Sequence, residues 1–171
     1  MPQCKFLGVD PGITNKKLYE ESLGGQFIYG SIEGYEEKIN ISTTDTKIGF
    51  NQFLLQYFQN KTIDLMLIDI EWSEYKILPT LADYKSDLPP ICQFNVELHW
   101  PPQRPVTTIH EAIYMIMDVF RKRQFLLLNS EYNSIYSGLK LRSLVEEEKY
   151  MRLFFININS DLCMKKYLCS G

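Results

Sequence analysis

Residues 63–75, which read IDLMLIDIEWSEY, join an apolar run to an acidic end. Aliphatic and β-branched side chains dominate the run, and helix-forming residues follow it. This pattern is typical of a central strand in a parallel sheet that helices cover on both faces. Ligands of such sheets bind beyond the carboxyl ends of the strands, where Asp69 and Glu71 lie. The sequence therefore predicts an α/β domain with a site at this strand end.

Asp69 and Glu71 are two residues apart, so an extended backbone directs both side chains to the same side. Like charges at the end of a buried strand repel each other and resist desolvation, and catalysis or a bound cation is one reason to keep them. The alternative is that the strand simply reaches the surface through acidic residues that cap the next helix. Spacing alone leaves both interpretations open.

Strand-like and helix-like segments alternate along the chain without repeats or an obvious linker, which predicts a single domain over residues 1–171. Strands are predicted at residues 5–9, 26–30, 63–70, 91–98, 124–128 and 152–158, with a short extra strand at 38–41. Apolar side chains at helical spacing predict helices at residues 50–58 and 109–120. Pro79 should kink or restart the helix that follows Ser73, because proline lacks a backbone donor.

Two further segments, read together, resemble the FkbM-like methyltransferases. The first is IDIEWSEYKILPTL at residues 68–81, and the second is CQFNVELH at residues 92–99. They are similar to the fourth strand, the following helix and the fifth strand of that family. The matching residues are Asp69, Glu71, Glu74, Glu97 and His99. Trp72 departs from the pattern, because the family usually has glycine there. A bulky indole at this position is expected to restrict substrate access and to oppose a tight turn.

The resemblance implies a fold and a cofactor. The fold is an α/β, Rossmann-like methyltransferase sheet that is mostly parallel and flanked by helices, and the cofactor is S-adenosylmethionine. Residues 6–11 (FLGVDP) are similar to the end of the family's second strand, so Asp10 is expected to bind the ribose hydroxyls. Residues 29–34 (YGSIEG) are similar to the turn after its third strand, which implies that Ser31 lies in the cofactor site beside the adenine.

The glycine-rich loop that approaches the cofactor in this fold follows the first strand. The chain opens instead at what corresponds to the second strand, so we expect a sheet that is truncated at the N-terminus. An open gap is then expected between the strands at residues 5–9 and 63–70. Little affinity of the 171-residue chain for S-adenosylmethionine is expected for the same reason.

The resemblance also implies roles on the acceptor side. Asp69, Glu71 and His99 are the predicted catalytic residues, and Glu74 and Glu97 are expected to face the substrate. The implied reaction transfers a methyl group to a hydroxyl oxygen of a small molecule or sugar. His99 is the candidate for the base that takes the hydroxyl proton, or for a neighbour of a metal ion. The residues alone equally allow His99 to be a polar strand end. A minor alternative is a Mg²⁺ ion bound by Asp69, Glu71 and Glu97.

Two other functions remain open from the sequence. The first is a catalytically inactive methyltransferase relic that serves as a binding or scaffold module. The second is a metal-dependent hydrolase on the same sheet, which would use the same carboxylates but has no nucleophile motif.

Composition limits the partners. The formal net charge of −3 argues against nucleic acid and anionic membrane surfaces. No uninterrupted apolar run approaches the roughly 20 residues that a membrane span needs. The sequence does not determine the compartment.

The four cysteines have no metal-like pair spacing, and a domain of this size can fold without disulfides. Reduced, structural thiols are therefore predicted. These cysteines are Cys4, Cys92, Cys163 and Cys169.

Overall fold

The structure is a computed structural model that describes residues 4–34, 46–59, 61–83, 87–100, 108–134 and 149–168. The strands in these ranges are β1 (Leu7–Asp10), β2 (Gln26–Tyr29), β3 (Ser31–Glu33), β4 (Lys47–Gly49), β5 (Met66–Ile68), β6 (Gln93–Trp100), β7 (Phe125–Ser134) and β8 (Lys149–Asn157). The α-helices are α1 (Phe50–Phe58), α2 (Glu74–Ala82), α3 (Ile109–Arg121) and α4 (Asp161–Tyr167). None of the described helices is long and apolar enough to cross a membrane.

The described strands form three small sheets. β1 pairs with β2, and β3 pairs with β4, both in parallel. The third sheet has the order β5-β6-β8-β7, in which β5 and β6 are parallel while β8 is antiparallel to both β6 and β7. The predicted α/β character is confirmed. The strands described lie in three separate sheets, and the largest of these is mixed, with one parallel and two antiparallel pairs.

β5 has an open side in the part of the chain that the structure describes. Its Leu67 pairs with Asn95 of β6 on one side, yet this leucine is 74% exposed. Val9 of β1 pairs instead with Ile28 of β2. Among the described residues no ladder joins Val9 to Leu67. The open gap between these two strands stays a prediction.

Most predicted elements are found, with shifted ends. The two amphipathic helices match α1 and α3. β7 extends to Ser134, six residues beyond its predicted end, because it pairs along most of its length with β8. α2 continues through Pro79 to Ala82 as one helix and does not restart there. The predicted extra strand at residues 38–41 lies outside the described residues.

The core packs against one face of β6. Phe94, Val96 and Leu98 are fully buried, whereas the alternate positions Gln93 and Asn95 are half-buried. This is the two-residue alternation that a strand requires. α2 contributes a buried face that includes Tyr75, Ile77, Leu78 and Leu81. His99 lies on the same side of β6 as Glu97, two residues further along, at the carboxyl end of the strand.

The prediction of reduced thiols is wrong for two cysteines. Cys92 and Cys163 form a disulfide that joins residues 71 positions apart in sequence. Cys92 directly precedes β6 and Cys163 lies in α4, so the packing of α4 against the start of β6 brings the two sulfur atoms together. Both side chains are fully buried. Cys4 is free and exposed, and Cys169 lies outside the described residues.

Candidate functional site

The turn after β5 begins the site. The backbone N–H of Ser73 donates to the carbonyl of Ile70 at 3.2 Å, and α2 starts one residue later. Glu71 and Trp72 inside this turn have φ angles of 49° and 70°. Residues with a Cβ atom rarely adopt this left-handed backbone conformation, and backbone strain of this kind is concentrated at functional sites. The turn directs both side chains toward the carboxyl end of β6, where they meet His99.

Glu74, the first residue of α2, is completely buried. Its Oε1 atom accepts a hydrogen bond from the backbone N–H of Ile70 at 2.9 Å. The same oxygen lies 3.1 Å from Nδ1 of His99. The other oxygen, Oε2, is buried and has no hydrogen-bond partner. The carboxylate therefore links the strand end, the helix start and the histidine.

His99 is surrounded on several sides. Its Nε2 atom lies 3.4 Å from Oε2 of Glu71, and its ring centroid lies 5.4 Å from that of Trp72 at a tilt of 44°. The buried hydroxyl of Tyr75 donates to the backbone carbonyl of His99 at 2.8 Å. The imidazole thus has fixed neighbours at both ring nitrogens and at one face.

The surroundings of His99 favour its charged form. The hydrogen bond to Glu74 is the main cause, with the negative charges of Glu74, Glu71 and Asp69 adding to it, and together they outweigh burial and raise the pKa of His99 to about 9. At neutral pH the imidazole is therefore a cation that carries a proton on each nitrogen, with Nδ1 donating to Glu74 and Nε2 in an ion pair with Glu71.

Asp69 lies beside this cluster and keeps contact with solvent. Desolvation raises the pKa of its carboxyl group, and the nearby charge of Glu97 acts in the same direction. Glu97 itself bonds to Nε of Arg152 at 2.7 Å across the antiparallel β6–β8 pair. Asp69, Glu71 and Glu97 are predicted to bind Mg²⁺ together. In the structure Glu97 accepts a hydrogen bond from Arg152, which sets it apart from Asp69 and Glu71.

A different set of side chains could hold a cation. Asp69, Glu74 and His99 each offer one ligand atom, and these atoms all lie within 4.8 Å of one another. No other group of three or more metal-ligating side chains this close together occurs among the described residues.

Asp10 and Ser31 lie elsewhere, at the ends of β1 and the start of β3. One carboxylate oxygen of Asp10 accepts the backbone N–H of Gly12, and the other accepts Nδ2 of Asn15 at 2.8 Å. Its backbone carbonyl accepts the N–H of Gly30 at 3.2 Å, which brings the turn before Ser31 next to Asp10. Within the described residues, β1, which ends at Asp10, and β5, which ends just before Asp69, belong to different sheets.

Of the predicted site residues, the structure brings together Asp69, Glu71, Glu74 and His99. Glu74 lies beneath His99 and away from solvent, and Glu97 is turned toward Arg152. Tyr75, whose hydroxyl donates to His99, is not among the residues predicted from the sequence. The signal for its burial is present, since Tyr75, Leu78 and Ala82 recur at helical spacing on the buried face of α2.

Comparison with known proteins adds one finding. A family model described as the methyltransferase FkbM domain matches residues 9–127, more than half of the 171 residues. The matched range contains the last two residues of β1, Val9 and Asp10, and both strand ends that carry the His99 cluster. No curated protein matches the chain.

Proposed function

The chain belongs to the FkbM methyltransferase family, and we propose that it transfers a methyl group from S-adenosylmethionine to a hydroxyl oxygen of a small molecule or sugar. The observation that carries this proposal is the cluster around His99 inside the matched range. It combines solvent-accessible carboxylates with a cation at the carboxyl end of parallel strands. That is where the ligands of α/β sheets bind.

We also propose that β1–β2 and β5–β6 are parts of one Rossmann-like sheet. Both pairs are parallel, and Val9 of β1 and Ile68 of β5 pack against the same hydrophobic core. Asp10 and Asp69 each lie at or just beyond the carboxyl end of a parallel strand. These features support a shared ligand-binding edge, as expected for a methyltransferase of this family.

The residues near Asp10 fit the proposed cofactor. Each carboxylate oxygen of Asp10 accepts one hydrogen bond from its own turn, and a carboxylate oxygen can accept a second. Asp10 can therefore keep its turn and still accept two ribose hydroxyls, with Ser31 close by. When bound, S-adenosylmethionine supplies the electrophilic methyl group. The carboxylates of Asp69 and Glu71 suit its positive charge.

The acceptor hydroxyl must lose its proton during transfer, so a base is required. His99 cannot take this role as it stands, because Glu74 and Glu71 occupy its two nitrogens and keep it as a donor. The proposed base is therefore one of the two accessible carboxylates, Asp69 or Glu71. His99 positions Glu71 through Nε2. Glu74 acts as a positioning residue beneath His99.

The test is a transfer assay with methyl-labelled S-adenosylmethionine and a panel of hydroxylated small molecules and sugars. Because the 171-residue chain is expected to bind S-adenosylmethionine weakly, the assay uses a high cofactor concentration, at which label in an acceptor and release of S-adenosylhomocysteine are expected for the wild type. Glu71→Gln and Asp69→Asn should lower the rate, and the larger loss identifies the base. Asp118→Asn on α3 is the matched control, because it makes the same chemical change outside the site. Absence of both transfer and cofactor binding would reject the proposal and favour a non-catalytic module.

A further inference from the structure

The carboxylate of Glu74 has one buried oxygen without a hydrogen-bond partner. A buried carboxylate oxygen normally has a hydrogen-bond partner or coordinates a metal ion. Oε2 of Glu74 has no partner, although the residue has no exposed surface. Its sister oxygen already accepts from Ile70 and faces His99. The site therefore has acceptor capacity that the described side chains do not use.

The local charges are also unbalanced. One imidazole, His99, contacts two carboxylates, those of Glu71 and Glu74. Asp69 adds a third negative group within the same cluster. Glu97 does not contribute to this excess in the same way, because Arg152 pairs with it. An additional positive charge at the Asp69–Glu74–His99 cluster would reduce the repulsion among the carboxylates.

The donors are positioned for a single ion. The three ligand atoms come from three places in the fold: the residue that follows β5, the start of α2 and the carboxyl end of β6. They already lie within 4.8 Å of one another. The backbone N–H of Ile70 holds the Glu74 carboxylate, and the Tyr75 hydroxyl holds the backbone carbonyl of His99, so both buried ligands have supporting hydrogen bonds of the kind that orient metal ligands.

We propose that Asp69, Glu74 and His99 bind a divalent transition-metal ion of the Mn²⁺ or Zn²⁺ class. Two carboxylate oxygens and one imidazole nitrogen form a mixed donor set, which suits these ions better than Ca²⁺ or Mg²⁺. Without the ion His99 is protonated on both nitrogens, so the ion must displace one of these protons, and binding should release a proton and weaken as the pH falls. Three protein ligands leave coordination positions for water or another oxygen ligand. Binding of the ion does not depend on the proposed function.

A consequence for methyl transfer does rest on the proposed function. With Asp69 engaged as a ligand, Glu71 is the carboxylate left to accept the acceptor proton, and its side chain is 79% exposed. The ion would bind the acceptor oxygen beside Glu71 and favour loss of the hydroxyl proton to that carboxylate.

Mn²⁺ alone is the probe, without cofactor or acceptor, so the result is independent of methyl transfer. Calorimetric titration should show one saturable site in the wild type. Glu74→Gln and Asp69→Asn should weaken binding by about 10–100-fold or more. Asp69 is accessible, so its variant tests the site without disturbing the buried carboxylate, and circular dichroism verifies that each variant is folded. Glu97→Gln is the matched control at the same sheet edge and should bind Mn²⁺ like the wild type.

Pulsed electron paramagnetic resonance gives a direct signature of the histidine. Bound Mn²⁺ should show coupling to a ¹⁴N nucleus, and this coupling should disappear in His99→Asn. Three results would each overturn the proposal: no saturable Mn²⁺ binding, bound Mn²⁺ without ¹⁴N coupling, or a loss in Glu97→Gln as large as that in Glu74→Gln.

Discussion

Nδ1 of His99 lies 3.1 Å from Oε1 of Glu74, and this contact joins the carboxyl end of β6 to the first residue of α2. Both side chains are removed from solvent, Glu74 completely. The charge of each is therefore balanced by the other and not by water. Breaking one side of such a pair leaves a buried group without its partner, which costs far more than the loss of an exposed ion pair.

His99→Ala should therefore lower the free energy of unfolding by about 3–5 kcal/mol, because it leaves the carboxylate of Glu74 buried without its counter-ion. Urea denaturation measures the change. The control is Arg152→Ala, which removes a half-exposed partner of Glu97 and should cost less than about 1 kcal/mol. Equal decreases in the free energy of unfolding in the two variants would show that the buried His99–Glu74 contact stabilises the fold no more than the exposed Glu97–Arg152 pair.

A second prediction concerns the backbone of the turn. Glu71 has a φ angle of 49° and a largely exposed side chain, so glycine should remove strain and sacrifice little packing. We expect Glu71→Gly to raise the free energy of unfolding by about 1 kcal/mol. Arg123, just after α3, has a φ angle of 54°, and Arg123→Gly should stabilise to a similar extent.

The two glycine variants should differ in function. Only Glu71→Gly removes a carboxylate from the His99 cluster, so only this variant should lose methyl transfer while it gains stability. Thermal unfolding and the transfer assay are measured on the same samples. Destabilisation by Glu71→Gly, with Arg123→Gly stabilising as expected, would indicate that Glu71 is held by contacts stronger than its long ion pair to His99.

Much of this arrangement could be predicted from local sequence. The apolar run that ends at Asp69 gives β5, and the helical spacing of aromatic residues gives α1, because both signals depend only on neighbouring side chains. The proximity of Asp69 and His99 follows from two parallel strand ends. These predictions need the periodicity of one segment and the general geometry of parallel sheets.

The remaining features depend on long-range packing. The Glu97–Arg152 bond joins residues 55 positions apart and exists because of the antiparallel register of β6 and β8. The Cys92–Cys163 disulfide requires that α4 pack at the start of β6. Burial of Glu74 is likewise invisible to local patterns, since an acidic residue in the first turn of a helix is usually favourable at the surface.

A third prediction follows from the disulfide. Reduction of the Cys92–Cys163 bond should lower the free energy of unfolding by about 2–4 kcal/mol, because it frees a long loop in the unfolded chain. Denaturation curves of oxidised and reduced protein give the value. In the denatured but unreduced protein, a thiol reagent should leave Cys92 and Cys163 unlabelled. Cys4→Ser is the control and should change neither curve, because Cys4 is exposed and free. Labelling of Cys163 without reductant would contradict the disulfide.

The last prediction uses pH to probe the attachment of α4 to the start of β5. Nζ of Lys166 and the hydroxyl of Tyr167 both donate to Oδ1 of Asp64, at 2.6 Å and 2.7 Å. These two hydrogen bonds hold the pKa of Asp64 below its ordinary value. A carboxyl group whose pKa is lower in the folded state stabilises the fold above its unfolded pKa. That contribution disappears as the pH falls through the folded pKa.

The difference in unfolding free energy between the wild type and Asp64→Asn should therefore be constant above about pH 5 and shrink below the unfolded Asp pKa of about 3.9. The effect should be small, because the Asp64 side chain is 54% exposed and water screens the pair. Lys166→Met should reduce the same pH dependence, since it removes one of the two donors. A difference that grows toward low pH would mean that Asp64 is better accommodated when protonated, and that α4 is held against the sheet by the disulfide and by packing instead.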